Sequence, residues 1–150
     1  MIFVTVGSSG KFESLIRYMD KLSLQLKEEV TIQIGKSEYV PLHCKYFEFA
    51  ADLSPYIEKA DIVISHGGAG TCFEVLGVGK KLIGIENKNV NDAHQWDLLK
   101  KLEDEGHIMW CKEISELGTC IEKAREYKFK KYIPPFCDIP GKINEFLDRI

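Results

Sequence analysis

The stretch Ser65-His66-Gly67-Gly68-Ala69-Gly70-Thr71-Cys72-Phe73-Glu74 follows the apolar run Asp61-Ile62-Val63-Ile64 directly and leads into a helical pattern. Gly67, Gly68 and Gly70 let a charged group approach the backbone. A helix that starts here directs unpaired N–H groups and its positive dipole end at that group. The chemistry this fits is phosphate binding, to which the Thr71 hydroxyl can add a donor. The alternative is a tight strand-to-helix turn whose glycines only relieve crowding, with His66 a simple turn histidine. Glu74 also has two readings. Thr71-x-x-Glu74 matches a capping box, whereas a carboxylate one turn into a helix can accept both hydroxyls of a ribose.

A second polar cluster is Asn89-Val90-Asn91-Asp92-Ala93-His94-Gln95. Amides, a carboxylate and an imidazole are the groups that read sugar hydroxyls, although Asp92-x-x-Gln95 also fits a helix N-terminal box. A third is the turn Gly7-Ser8-Ser9-Gly10 behind an apolar start. Two near-motifs fail. Gly35-Lys36-Ser37 resembles the end of a P-loop, but Val30 stands where its first glycine belongs and no helix follows. Gly7-Ser8-Ser9-Gly10-Lys11-Phe12 is not G-x-G-x-x-G, and the second strand ends in Ile34-Gly35 without the acid that would hold an adenine ribose.

Positioning these clusters requires a regular framework, and the hydropathy pattern supplies one. Short β-rich runs fall at 2–6, 30–34, 45–49, 61–65, 81–85 and 107–111. Helical periodicity marks Phe12 to Leu26, a short helix from Ser54 (N-cap) and Pro55 to Ala60, the segment behind the glycines to about Gly77, Trp96 to Gly106, 114–125 and 141–150. An irregular tether around Pro134-Pro135 and Pro140 precedes the last helix. Strands alternating with helices predict an α/β, Rossmann-like, doubly wound parallel sheet of about six strands in one domain over 1–150. In the order 3-2-1-4-5-6, strands one and four adjoin at the switch point, where ligands bind. The Gly7 turn and the His66 to Thr71 loop then lie side by side.

Composition narrows the function. With 150 residues, 45% hydrophobic, 29% charged and a net charge of −3, the chain has the make-up of one globular domain. Its Lys and Arg residues are spread among Glu residues, which argues against nucleic acid as a partner. Five cysteines without a C-x-x-C spacing read as reduced thiols. The start lacks a signal-peptide pattern, and no window approaches ~18 apolar residues. The expectation is a cytoplasmic protein whose membrane contact is peripheral.

The run Ala60 to Thr71, the later Asn91-Asp92-Ala93-His94-Gln95, the opening Phe3-Val4-Thr5-Val6-Gly7 and Glu105-Gly106-His107 together resemble the donor-binding half of GT-B glycosyltransferases of family 28. More narrowly, the chain resembles the small subunits of two-component UDP-N-acetylglucosamine transferases of the dolichol pathway and their bacterial exopolysaccharide and capsule counterparts. The resemblance implies one half of a GT-B fold with a UDP-sugar site. Gly7, Ser8, Ser9, His66, Gly67, Gly68, Ala69, Gly70 and Thr71 would hold the diphosphate, Glu74 the uridine ribose, and Gln95 with Asn91 and His94 the sugar, N-acetylglucosamine being favoured. Ser8-Ser9-Gly10 departs from the threonine-bearing turn of the pattern. The resemblance also implies a membrane-anchored, acceptor-binding partner subunit and a lipid-linked acceptor, with the chain peripheral to the membrane through that partner. The amphipathic segment 141–150 would then dock the partner, or pack on its own domain. No Asp-x-Asp is present, and neither metal nor cofactor is implied. A general base must take the acceptor proton. It is expected on the partner, with His94 an outside candidate within this chain. Two rival readings are a non-catalytic nucleotide-binding scaffold that enhances a partner transferase, and a relative of sugar-nucleotide epimerases.

Overall fold

Six parallel strands in the order β3-β2-β1-β4-β5-β6 form the centre of a computed structural model that describes residues 1–8, 10–90, 93–135, 144 and 147. The elements are β1 (Ile2–Thr5), α1 (Glu13–Ser23), β2 (Val30–Gln33), β3 (Lys45–Phe47), α2 (Ser54–Lys59), β4 (Ile62–Ser65), α3 (Ala69–Gly77), β5 (Lys81–Ile85), α4 (Ala93–Asp104), β6 (Met109–Cys111) and α5 (Leu117–Glu126). A single 3-10 turn, Ile114–Glu116, leads into α5. The central strands are buried on both faces, which is why they read as continuous apolar runs and not as alternating ones.

Alternate strand residues go to opposite layers. Ile2, Val4, Ile32, Ile62, Ile64 and Ile83 pack with Leu15, Ile16 and Met19 of α1 and Leu117 and Ile121 of α5. Phe3, Val63, Leu82 and Trp110 pack with Ile57 of α2, Val75 of α3 and Leu99 of α4. The helices change layer between the β1/β2 side and the β4/β5 side, so the switch point lies between β1 and β4. Their register pairs Thr5 with Ser65 and, one strand on, Ser65 with Gly84. Right-handed crossovers on both sides of that point leave a crevice at the carboxyl ends of β1 and β4.

Some element ends differ from the sequence pattern, each for a local reason. Ser54 is inside α2 and is not its N-cap; the Asp52 carboxylate accepts the Ser54 amide at 2.9 Å, two residues ahead. The sixth strand begins at Met109 because Gly106 and His107 close α4: their amides donate to Glu103 O and Leu102 O, at 2.8 and 2.9 Å, with Gly106 at φ +80. The segment 127–135, which leads into the tether expected around Pro134-Pro135 and Pro140, carries no regular structure but is pinned to the body. Lys130 N donates to Gly106 O at 2.9 Å, and the Tyr132 ring meets those of Phe73 and His107 at 5.6 and 5.4 Å. The segment 141–150 lies outside the described residues except for Asn144 and Leu147, both helical.

One buried carboxylate ties α1 to the connection between β2 and β3. Asp20 of α1, fully buried, accepts from the amides of Leu42 and His43, the Tyr39 hydroxyl and the Cys44 thiol. Burial pushes its carboxyl up, but the Leu42 amide, Tyr39 and the other donors outweigh that and hold it below the usual carboxylate range. A carboxyl lowered by folding contributes stability that is fully present above its unfolded pKa and is lost as pH falls through the folded value. Asp20→Ala should therefore cost roughly 3 kcal/mol near neutrality, because it orphans several buried donors. Its deficit should shrink on acidification below about pH 4. Melting curves of both proteins over that range check this. A deficit that stays constant with pH would refute the assignment.

Candidate functional site

The carboxyl edge of the sheet is built from buried polar residues that end apolar strands. Thr5 Oγ1 donates to Gln33 Oε1 at 2.6 Å and accepts the Gly7 amide at 3.1 Å, which fixes the entry to the first turn. Ser65, the register partner of Thr5, is buried, and its hydroxyl has no hydrogen-bond partner among the described residues. The next residue, His66, fills the space between the two glycine turns. A β-carbon on Gly7 would lie 3.2 Å from His66 Cε1, and one on Gly68 would lie 2.9 Å from His66 Nε2. The two loops therefore meet across one imidazole ring.

The four glycines near α3 and β5 do different jobs. Gly67 takes φ +86, and a β-carbon there would stand 3.0 Å from Leu99 Cδ1. Gly84 would place a β-carbon 2.2 Å from Leu99 Cδ2, so both residues make room for α4 against the sheet. Gly68 is the N-cap of α3, with no side-chain capping bond, and the first helical amide to bond back is that of Cys72, to Gly68 O at 3.0 Å. The amides of residues 69–71 precede it and have no carbonyl one turn back within the helix. Ala69 and Gly70 are exposed. At Gly70 a β-carbon would meet nothing within 4 Å, so packing gives no reason for a glycine there.

Glu74 is exposed, with its carboxylate 3.5 Å from Ser54 Oγ. The capping box does not form: Thr71 is the third residue of α3, not its N-cap. His94 (exposed) and Gln95 (half-buried) stand in the first turn of α4, after β5 and on the same edge. Ser9, Asn91 and Asp92 lie outside the described residues, so the Asp92-x-x-Gln95 box is not assessed. The fold thus brings Gly7, Ser8, His66, Gly67, Gly68, Ala69, Gly70, Thr71, Glu74, His94 and Gln95 to one sheet edge.

Sequence reasoning passed over three residues of this edge. Thr5 and Gln33 carry the only signal available, a polar residue closing an apolar strand. Asn87, also buried, donates from Nδ2 to Lys11 O at 2.9 Å and accepts the Asn89 amide at 3.2 Å, stapling the loop after β5 to the loop after β1. Gly35, dismissed with its P-loop-like neighbours, sits beneath the first turn. Among the described residues no three His, Cys, Asp or Glu side chains converge so as to hold a metal ion. No described helix is long and apolar enough to cross a membrane.

A sheet of this order, with its crevice at the β1/β4 switch point, defines a doubly wound, Rossmann-like α/β domain. The model of the glycosyltransferase family 28 C-terminal domain matches residues 1–131, and the chain belongs to that family. It is 38% identical over 137 residues, 83% of its length, to a human protein named UDP-N-acetylglucosamine transferase subunit ALG13. The chain spans about a tenth of the length of the mammalian relatives it matches. In fold it is similar to an NMR structure of ALG13, with TM-score 0.62 and 21% identity over 99% of this chain and 96% of that one. It is also similar to Acinetobacter baumannii MurG, with TM-score 0.64 and 18% identity over 99% of this chain and 49% of that one.

Because Gly70 has no packing role, it separates folding from binding. Gly70→Ala should leave the melting temperature unchanged or raise it slightly, since alanine is favoured over glycine in a helix by about 0.5–1 kcal/mol. If the amides of residues 69–71 face a diphosphate, the same methyl group should weaken UDP binding at least about tenfold, a loss of about 1.4 kcal/mol. Calorimetry with UDP and a thermal melt on one sample decide it. Unchanged affinity would remove residues 69–71 from the site.

Proposed function

We propose that the chain is the donor-binding domain, over 1–150, of an inverting glycosyltransferase. It would act as one subunit beside a membrane-anchored partner that binds a lipid-linked acceptor. The observation that carries this reading is the meeting of the Gly7 turn and the uncapped start of α3 at the β1/β4 crevice, with an exposed carboxylate, Glu74, one turn further along. The word "subunit" and the sugar nucleotide in the human relative's name support a UDP-N-acetylglucosamine donor and a second chain.

In this reading the Gly7-Ser8-Ser9 turn and residues 66–71 hold the diphosphate, Glu74 the ribose hydroxyls, and Asn91, His94 and Gln95 the sugar. The acceptor hydroxyl attacks the anomeric carbon in line as the bond to the diphosphate breaks. Charge developing on the leaving UDP is met by the amides of residues 69–71 and the dipole of α3, preorganised groups that need no reorganisation at the moment of reaction. The acceptor proton passes to a general base. That base is expected on the partner, with His94, exposed at the start of α4, the outside candidate in this chain. Localisation is then peripheral to a membrane on its cytoplasmic side.

Titration of the chain with UDP and UDP-N-acetylglucosamine tests the donor site, and absence of uridine-nucleotide binding would overturn it. Sugar transfer to a lipid-linked acceptor should appear only when membranes carrying the partner are added. Nucleotide binding without transfer under any such condition would favour a non-catalytic scaffold instead.

A further inference from the structure

At the opposite edge of the sheet, where β5 and β6 begin, a cleft of about 550 Å³ is bordered by Lys80, Lys81, His107, Lys128, Lys130 and Lys131. Its cations fall into two groups. Lys80 Nζ donates to Glu58 O at 2.5 Å, Lys81 Nζ to Ala124 O and Arg125 O at 2.9 and 2.6 Å, and Arg125 pairs with Glu28 and Glu122. Those groups are committed to holding the body of the domain together. Lys128, Lys130 and Lys131 are exposed and pair with no carboxylate of the described residues.

These three lysines stand on a segment, Tyr127-Lys128-Phe129-Lys130-Lys131-Tyr132-Ile133, with no acid between Glu126 and Asp138, in a chain whose acids otherwise outnumber its bases by 23 to 20. The segment is held in place by its inner side. Lys130 is bonded through its backbone to Gly106 and His107, Tyr132 sits between Phe73 and His107, and Phe129 is half-buried beside the Tyr127 ring at 4.7 Å. It also carries three exposed lysines, with Tyr127, 47% exposed, and Ile133, 78% exposed, at its two ends. A cationic cluster bordered by an aromatic and an aliphatic side chain suits the phosphate level and the acyl boundary of a lipid surface. A small free anion would not call on the apolar flanks.

We propose that residues 127–133 form an electrostatic contact for an anionic phospholipid surface. The contact lies at the far edge from the donor site and does not depend on that site being occupied. Each lysine near such a surface is worth about fivefold in partitioning, so the three together are worth on the order of a hundredfold.

Flotation of the full chain with vesicles tests it. The chain should float with phosphatidylcholine vesicles that contain phosphatidylserine, not with phosphatidylcholine alone, and should be released at about 1 M salt, where the Debye length is about 3 Å. The K128Q/K130Q/K131Q variant should lose partitioning on the order of a hundredfold. A control removing three exposed lysines elsewhere, K21Q/K27Q/K101Q, should keep it. Equal losses in the two triple variants would overturn the assignment, as would absence of flotation by the parent chain. Competition by inorganic phosphate would reassign the cluster to a soluble anion, and tighter binding to a polyuridylate strand at equal salt would reassign it to nucleic acid; either refutes the lipid contact. Unchanged melting temperatures show that the variants fold. UDP titration of the same variants reports the donor site separately, so failure of one reading is distinguishable from failure of the other.

Discussion

Replacing Gly35 with alanine is expected to lower the unfolding free energy by roughly 3 kcal/mol and to weaken UDP binding in the same protein. Gly35 has φ +57, and a β-carbon there would lie 2.5 Å from Gly7 O and 2.7 Å from Gly10 O. Both neighbours are backbone oxygens, so a rotamer change cannot relieve the overlap. The turn has little freedom to move away. Lys36 N donates to Gly10 O at 3.1 Å, the Gly7 amide is bonded to Thr5 Oγ1, and a β-carbon on Gly10 would already be 2.1 Å from Val6 O. The left-handed conformation costs an L-residue about 1–2 kcal/mol, and overpacking a filled site adds about 1–3 kcal/mol. For a domain of this size that corresponds to a melting-temperature drop of about 6–12 °C. Affinity should fall because relief of the overlap displaces the Gly7-Ser8-Ser9 turn. Thermal melts, and UDP calorimetry at a temperature where the variant is folded, check both parts. A melt within about 2 °C of the parent would show that the turn is not clamped as described.

The second large effect is expected at Glu74, and there it falls on binding alone. Glu74→Ala should reduce UDP affinity about ten- to a hundredfold, the range set by losing charge-assisted hydrogen bonds worth about 1.5–3 kcal/mol. Stability should stay within about 0.5 kcal/mol, because Glu74 is exposed, closes no capping box, and lies 3.5 Å from Ser54 Oγ. A deoxy nucleotide sharpens the measurement. If the carboxylate accepts ribose hydroxyls, the parent should discriminate against 2′-deoxyuridine diphosphate and the variant should not. Equal loss for both nucleotides would mean that the carboxylate acts through the helix and not on the ribose. A destabilised variant with normal affinity would restore a purely structural role.

These two residues mark how far local pattern reaches. The α/β class, the strand order and the placing of the Gly7 and His66 loops at one crevice were all legible, because buried parallel strands must read as apolar runs and amphipathic helices must repeat near 3.6 residues. The start of α3 behind the glycines was legible as well, because a helix start is written locally. Gly35 was not. Its neighbours Lys36 and Ser37 suggested a motif it does not belong to, and its contact is with a turn some 25 residues earlier that only the β1/β2 pairing brings beneath it.

What the sequence by itself determined is therefore the strands and helices of the described residues, the strand order in the sheet and the edge at which the two glycine loops meet. The tertiary structure alone decided which glycine does which job. Gly67 and Gly84 admit Leu99, Gly7 and Gly68 admit His66, and Gly70 admits nothing among the described residues. It also decided which polar residues pin distant segments together, since Asp20 reaches residues 39–44 and Asn87 reaches Lys11 across long sequence separations. The physical reason is range. Periodicity and helix ends are set by residues within a turn or two of one another, whereas close approaches of one side chain to another element's backbone exist only once crossovers have packed those elements together.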